Sequence, residues 1–372
     1  MKSQERLVMP NYSYLIKPSS SACNLKCTYC FYHDVASHRE VRSYGNMSET
    51  TQDSIINKTL DVEDNAFISY AFQGGEPTLV GLPFFIEFIN KVNQKKKPNQ
   101  IIQYSIQTNG TLLNDEWVRF FKENHFLVGL SLDGYKDNHD YFRITNQNTE
   151  TYHKVFKSLE LLRKYEIDFN VLTVLTEQLA KHPQKLYNFY KDNKITHIQL
   201  IPCLPDLSSL SAFFALTPKR FASFYKSFYD FWLNDLLKGD YMSVGLFDNV
   251  IPMYRGVPPQ QCGMVGNCAF QFVIESNGSV YPCDFFVLDE YNCGNINTET
   301  IREIAKNKII HSFIHEPKRT CKECSTCPFL EMCHGNCKRL NVTYFDEEYC
   351  GYKEFLLHSE KSMREIAAKI KL

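Results

Sequence analysis

From Tyr12 to about Leu204, short runs rich in β-branched, aliphatic and aromatic residues alternate with stretches whose apolar positions recur every three to four residues. That alternation predicts parallel strands joined by right-handed helical crossovers. Strands are expected at Tyr12–Lys17, Ala66–Phe72, Tyr104–Thr108, Leu127–Leu132, Phe169–Leu175 and His197–Ile201. Helices are expected between them at Pro83–Asn93, Glu116–Glu123, Tyr152–Tyr165 and Pro183–Asp192. In the third of these, Val155, Leu159 and Leu162 form one stripe, and Lys154, Lys157 and Arg163 fall largely off it. Six strands predict an α/β fold built on a partial (β/α)6 TIM-type barrel, in which chemistry gathers at the C-terminal strand ends. A longer helix, Pro218–Leu237, carries Phe221, Phe224, Tyr225, Phe228 and Phe231 at helical spacing, which reads as core packing. After about Gly245 the alternation stops, and Phe272–Glu275, Asn277-Gly278 and Val280–Cys283 predict a β-hairpin. The expected organisation is a barrel over residues 1–245, a small cysteine-rich module over 246–350 and a C-terminal helix over 351–372.

A chain of 372 residues exceeds what one hydrophobic core usually serves, which fits two domains. Its 41 Lys and Arg against 42 Asp and Glu leave a formal charge of −1, so neither nucleic acid nor an anionic membrane is an expected partner. Met1–Pro10 holds no apolar run like a signal peptide, and no stretch of the chain has the length of an apolar membrane span; a cytoplasmic location is expected, with Met9 an alternative start. In that reducing compartment fourteen cysteines point to metal or redox chemistry rather than a disulfide scaffold.

Three of the cysteines follow the first strand as Cys23-x3-Cys27-x2-Cys30, with Tyr29 before the last. Three thiolates on one tight loop can neither fill a four-coordinate zinc site nor hold every iron of a [4Fe–4S] cube, so one iron stays open. The competing reading is a zinc loop completed by His33. The next strands end in Gln73-Gly74-Gly75-Glu76-Pro77, Gln107-Thr108-Asn109-Gly110 and Ser131-Leu132-Asp133-Gly134, each a polar group beside glycine that lets backbone approach a ligand. Each alone is an ordinary turn. Together with the cysteine loop they resemble the radical S-adenosylmethionine (SAM) superfamily. The resemblance implies that Cys23, Cys27 and Cys30 hold a [4Fe–4S] cluster and that Tyr29, Gln73, Gly74, Gly75, Glu76, Asn109, Ser131 and Arg143 surround SAM. Glu76 would meet its amino group, and Arg143 its carboxylate.

Ten cysteines lie between Cys262 and Cys350, eight of them as Cys262-x5-Cys268-x14-Cys283, then Cys324-x2-Cys327-x5-Cys333-x3-Cys337-x12-Cys350. Eight thiolates suit two fully ligated cubes; structural zinc is the competing reading. The order resembles the SPASM domain. By that resemblance Cys262, Cys268, Cys283 and Cys337 hold a nearer auxiliary cluster, while Cys324, Cys327, Cys333 and Cys350 hold a farther one, giving three [4Fe–4S] clusters in all. Cys203, Cys293 and Cys321 are left over. Cys321 forms a rival C-x2-C pair with Cys324, and Cys203 reads as a small buried hydrophobe at the barrel mouth.

Leu15-Ile-Lys-Pro-Ser-Ser, Cys23 through Tyr32, Tyr44-Gly45, Phe72 through Thr78, Gln107 through Thr111 and Cys262 through Asp284 narrow the resemblance to the anaerobic sulfatase-maturating enzymes. It implies oxidation of a cysteine or serine in an unfolded sulfatase polypeptide to Cα-formylglycine, through a 5′-deoxyadenosyl radical that abstracts a Cβ hydrogen. Asp284, directly after Cys283, would be the catalytic base. A small electron-transfer protein, flavodoxin or ferredoxin, is the implied redox partner. Leu204-Pro205-Asp206 departs from the family-like Leu-Asp-Pro order, which keeps another SPASM peptide modifier, forming thioether or carbon–carbon crosslinks, as the alternative. A zinc-folded module without catalysis is the remote one.

Overall fold

Residues 9–208 and 213–370 are described by the computed structural model; the expectation for the first eight residues lies outside them. The six expected strands form as β1 (Asn11–Ile16), β2 (Phe67–Phe72), β3 (Ile101–Thr108), β4 (Leu127–Ser131), β5 (Phe169–Leu175) and β6 (His197–Pro202). All pair parallel in chain order, with Tyr14 opposite Tyr70 and Tyr70 opposite Tyr104. β3 starts three residues earlier than its pattern suggests. Ile101 pairs with Phe67 at the sheet's lower end, and its side chain is half exposed, so apolar alternation does not mark the start.

One face of the sheet is sealed by helices. Phe72 meets Phe85 and Phe88 of the helix Leu82–Lys95 edge-on, at centroid distances of 5.0 and 5.3 Å. The opposite, concave face keeps Gln107, Leu172, Val174 and Ile201 along a cavity instead of a closed core. The helices Asp115–Glu123, Tyr152–Lys164, Pro183–Asp192 and Pro218–Leu237 form as expected, the first capped by Asn114 accepting from Trp117 N and the last by Thr217 accepting from Arg220 N. The helices Phe31–Ser37, Glu49–Leu60 and Lys136–Phe142 were not legible as periodic runs.

The sheet runs on past the barrel. β7 (Ser243–Val244) adds beside β6, and β8 (Val273–Ile274) adds parallel to β1, with Leu15 opposite Val273. β9 (Val280–Tyr281) returns antiparallel to β8 around Gly278, whose φ of +86° suits the Asn-Gly turn. The spatial order β7-β6-β5-β4-β3-β2-β1-β8-β9 is an open sheet, as a partial barrel requires. The expected hairpin is thus present with short ladders; past them Gln271 N donates to Pro282 O (3.0 Å), and Cys283 leads into a 3-10 turn at Asp284–Phe286.

The aromatic helix Pro218–Leu237 is core. Phe221, Phe224, Tyr225 and Phe228 are buried, and Phe355 of the C-terminal helix Gly351–Lys369 stands 5.7 Å from Tyr225. Gly351 packs so closely on the carbonyl of Pro218 that any Cβ there would collide with it. No helix among the described residues is long and apolar enough to cross a membrane.

Candidate active site and cluster cysteines

The loop that follows β1 is held from two sides. Beneath it, Gly75 N donates to Ser20 O (2.9 Å) and Glu76 N to Ala22 O (2.8 Å), and a Cβ at Gly75 would run into the Ala22 carbonyl. Only glycine lets these backbones meet. Beside it, Lys26 N donates to Ile144 O (2.9 Å) and Thr28 N to Phe142 O (3.1 Å), so residues 142–145 form an antiparallel strap along the loop. The result places Cys23, Cys27, Cys30, Tyr29, Gln73, Gly74, Gly75, Glu76, Asn109, Ser131 and Arg143 on the wall of one open cavity at the C-terminal ends of the strands. Every residue expected around the first cluster and SAM is in that wall.

Burial pushes the Cys23 thiol up to about 11 and the Cys27 thiol up to about 12. Cys30 is raised by burial too, opposed by the N–H groups of His33 and Tyr32 at the start of the helix Phe31–Ser37. Three soft sulfur donors on one wall, costly to ionise without a cation, fit an iron cluster open on its cavity side.

Glu76 has more work inside the protein than the sequence suggested. Its carboxylate is buried and accepts from Thr78 N (3.1 Å), Thr78 Oγ1 (2.5 Å), Thr108 Oγ1 (2.7 Å) and Asn109 N (2.7 Å). Burial raises its pKa against those donors. It therefore braces the ends of β2 and β3 together. Asn109 Nδ2 donates to Asn24 Oδ1 (2.8 Å) and lies 3.8 Å from Cys23 Sγ, which carries the brace into the cysteine loop.

The eight auxiliary cysteines divide into two groups. Cys324, Cys327, Cys333 and Cys350 line a second cavity with Phe329, Leu330, Phe345 and Tyr352; Cys321 does not line it. Burial pushes Cys333 up to about 11 and Cys350 up to about 12. In the other group the Cys262 thiol is raised by burial and by the charges of Cys337 and Cys268, and the Cys283 thiol by burial and then by Cys337, Asp284 and Cys262. Gly263 leaves the room: a Cβ there would sit 2.6 Å from Cys337 Cβ. Cys337 thus stands with Cys262, Cys268 and Cys283, although its sequence neighbours Cys333, Gly335 and Asn336 line the second cavity. Among the described residues no three Cys, His, Asp or Glu side chains converge as one metal ion would need. Four thiols lining one cavity match the four cysteine ligands of a cube.

Asp284 leaves β9 beside Cys283 and returns toward the cysteine loop. Lys17 Nζ, just past β1, stands 2.9 Å from its Oδ1, and Tyr32 Oη donates to its Oδ2 at 2.5 Å. Lys17 also lies 4.6 Å above the Tyr32 ring. Tyr32 Oη is 2.9 Å from the Gln73 side-chain amide. A phenol has one proton; given to Asp284, it leaves Oη an acceptor, which the amide N–H of Gln73 satisfies once that group is turned. Lys17 and Tyr32 were not singled out from the sequence. The available signal was a lysine closing an otherwise apolar strand directly before the loop.

Residues 18–190 match the family described as the Radical SAM superfamily, and residues 262–328 match the one described as an iron-sulfur cluster-binding domain. The chain is 41% identical over 334 residues to the cysteine-type anaerobic sulfatase-maturating enzyme of Clostridium novyi (strain NT), covering 89% of each chain. It is 40% identical over 371 residues to that of Clostridium perfringens (strain ATCC 13124), covering 98% of this chain and 100% of the relative. Among solved structures, native anSMEcpe with bound AdoMet and Kp18Cys peptide superposes with a TM-score of 0.90 at 38% identity, over 97% of this chain and 100% of that one. With the cysteine loop, its cavity and the auxiliary thiols arranged as described, the chain belongs to the anaerobic sulfatase-maturating enzymes, radical SAM enzymes that use SAM and [4Fe–4S] clusters.

Proposed function

We propose that this chain oxidises a cysteine of an unfolded sulfatase polypeptide to Cα-formylglycine, with Asp284 as the base. Cysteine is chosen over serine because both relatives named above are cysteine-type enzymes. Cys23, Cys27 and Cys30 would hold the SAM-binding cluster; Cys262, Cys268, Cys283 and Cys337 the nearer auxiliary cluster; Cys324, Cys327, Cys333 and Cys350 the farther one. When bound, these groups supply the one-electron chemistry at the substrate Cβ and the sink for the electron released.

The observation that carries the reading is the Asp284 carboxylate, clamped by Lys17 and Tyr32 next to Cys283. Lys17 holds one oxygen of the Asp284 carboxylate, and Tyr32 fixes the second. A substrate thiol arriving from the cavity side exchanges with Tyr32 and gives its proton to Oδ2, within hydrogen-bond reach of the base. Gln73 is placed to receive the released hydroxyl. Around SAM, Gly74 and Gly75 give backbone access, Asn109, Ser131 and Tyr29 line the pocket, and Glu76 acts as the brace that keeps those glycines in place. A flavodoxin or ferredoxin is the proposed electron carrier, and the cytoplasm the proposed location.

The test is anaerobic incubation of reconstituted chain, SAM and reductant with a Cys-x-Pro-x-Arg peptide. Formylglycine lowers the peptide mass by about 18 Da, whereas a crosslink lowers it by about 2 Da. Formation of 5′-deoxyadenosine with no peptide aldehyde overturns the sulfatase assignment.

A further inference from the structure

Arg143 does more in this fold than wait for a carboxylate. The strap that carries it is bonded to the cysteine loop on both sides of Cys27, through Lys26 N to Ile144 O and Thr28 N to Phe142 O, so Arg143 and Cys27 stand opposite each other in register. Its Nη1 lies 3.9 Å from Cys27 Sγ and donates to Tyr29 Oη at 3.3 Å. Behind it sits Asp133, fully buried, whose Oδ1 accepts from Val174 N (3.0 Å) and whose Oδ2 accepts from Tyr29 Oη and lies 4.0 Å from Arg143 Nε. The main chain is pinned as tightly. Asp133 N donates to His139 Nδ1 (3.2 Å), His139 Nε2 faces Thr151 Oγ1 (3.1 Å), and Thr151 Oγ1 donates to Arg143 O (2.6 Å). Arg143 Nε is buried with no hydrogen-bond partner, free for a ligand, while Nη1 is committed to the loop.

We propose that Arg143 tunes the SAM-binding cluster itself: its guanidinium, set opposite Cys27 by the strap and anchored on Asp133, donates toward the Cys27 sulfur and raises the cluster's reduction potential. Hydrogen bonds and positive charge at a ligand sulfur stabilise the more negative, reduced cluster. Asp133 works against that charge, so the pair sets a level rather than a maximum. The inference rests on the reading that Cys23, Cys27 and Cys30 hold that cluster.

The experiment is an EPR-monitored reductive titration, with titanium(III) citrate, of the cluster-loaded full chain before SAM is added. The SAM-binding cluster is identified by the signal that changes once SAM is supplied. Arg143→Gln is expected to make reduction at least tenfold less favourable, 59 mV more negative for one electron. Arg143→Lys, which keeps the charge, is expected to shift it less. Asp133→Asn, which removes the opposing charge, is expected to shift it the other way. If Arg143→Gln loads no cluster, the sign of the Asp133→Asn shift decides. A wild-type chain with no SAM-sensitive signal sinks the three-cysteine reading beneath the proposal. A normal signal with potentials unchanged in both variants, and only weaker SAM binding in Arg143→Gln, overturns the proposal and leaves Arg143 a carboxylate ligand.

Discussion

Arg39→Met removes one half of an ion pair that water does not reach. Arg39 Nη1 is 2.8 Å from Glu275 Oε1, and the two side chains are 2% and 1% exposed. Arg39 follows the helix Phe31–Ser37, which Cys30 precedes, and Glu275 opens the turn that leads to Cys283 and Asp284, so the pair joins the two halves of the site. Coulomb's law at an effective dielectric constant near 20 bounds the attraction at about 6 kcal/mol for this separation. Stranding the Glu275 carboxylate without its partner costs about 3–5 kcal/mol. Losing the bond from Arg39 Nη2 to Arg42 O (2.7 Å) adds about 1 kcal/mol. A total of about 4–6 kcal/mol is a large share of the about 5–15 kcal/mol that holds a protein folded. The double variant Arg39→Met, Glu275→Met leaves no orphaned charge and is expected to recover most of that loss. Anaerobic urea titration of the cluster-loaded chain, read by pulse proteolysis, measures both. A single variant within about 1 kcal/mol of the parent, or a double variant no more stable than the single, would show that the pair does not brace the site.

Asp284→Asn is expected to lower peptide aldehyde formation by about 10²–10⁴-fold, the usual worth of a general base, while 5′-deoxyadenosine still forms; equal loss of both products would place its role earlier. Cys324→Ala is expected to lose about four irons per chain and Cys321→Ala none, by iron assay after reconstitution; the reverse would shift the register of the farther cluster. Gly75→Ala forces a Cβ into the Ala22 carbonyl, so SAM binding should vanish while auxiliary-cluster absorbance persists. His139, held neutral by burial and then by the Arg143 charge, has its pKa lowered from 6.5 to about 3. The unfolded chain then binds the extra proton first, so stability falls with acidity below about pH 6.5, by up to about 1.4 kcal/mol per pH unit. His139→Gln should flatten that slope between about pH 6.5 and 5.5 in denaturant titrations, and an unchanged slope would refute the assignment.

The barrel was legible because its strands are buried on one face by helices with plain apolar stripes, as with Val155, Leu159 and Leu162. The grouping of the cysteines was legible because thiolate spacing is a local property of the chain, and the grouped thiols line shared cavities. What stayed hidden depends on the third dimension. Lys17 and Asp284 are far apart in sequence and meet only because β8 pairs with β1. Glu76 read as a ligand group because its motif shows the carboxylate but not the Thr78 and Thr108 hydroxyls folded onto it. The helix Glu49–Leu60 escaped because its sequence, ETTQDSIINKTL, buries Thr51, Gln52 and Thr59 along with its isoleucines, so polar residues sit on the core face.

The pairing of Leu15 with Val273 has a kinematic consequence. Main-chain hydrogen bonds, from Leu15 N to Phe272 O (3.0 Å) and from Lys17 N to Ile274 O (2.9 Å), weld the strand before the first cysteine loop to the hairpin that leads into Asp284. A slip of one residue would move the hairpin by about 3.3 Å and turn its side chains to the opposite face. Strand register therefore fixes where Asp284 stands relative to the first cysteine loop.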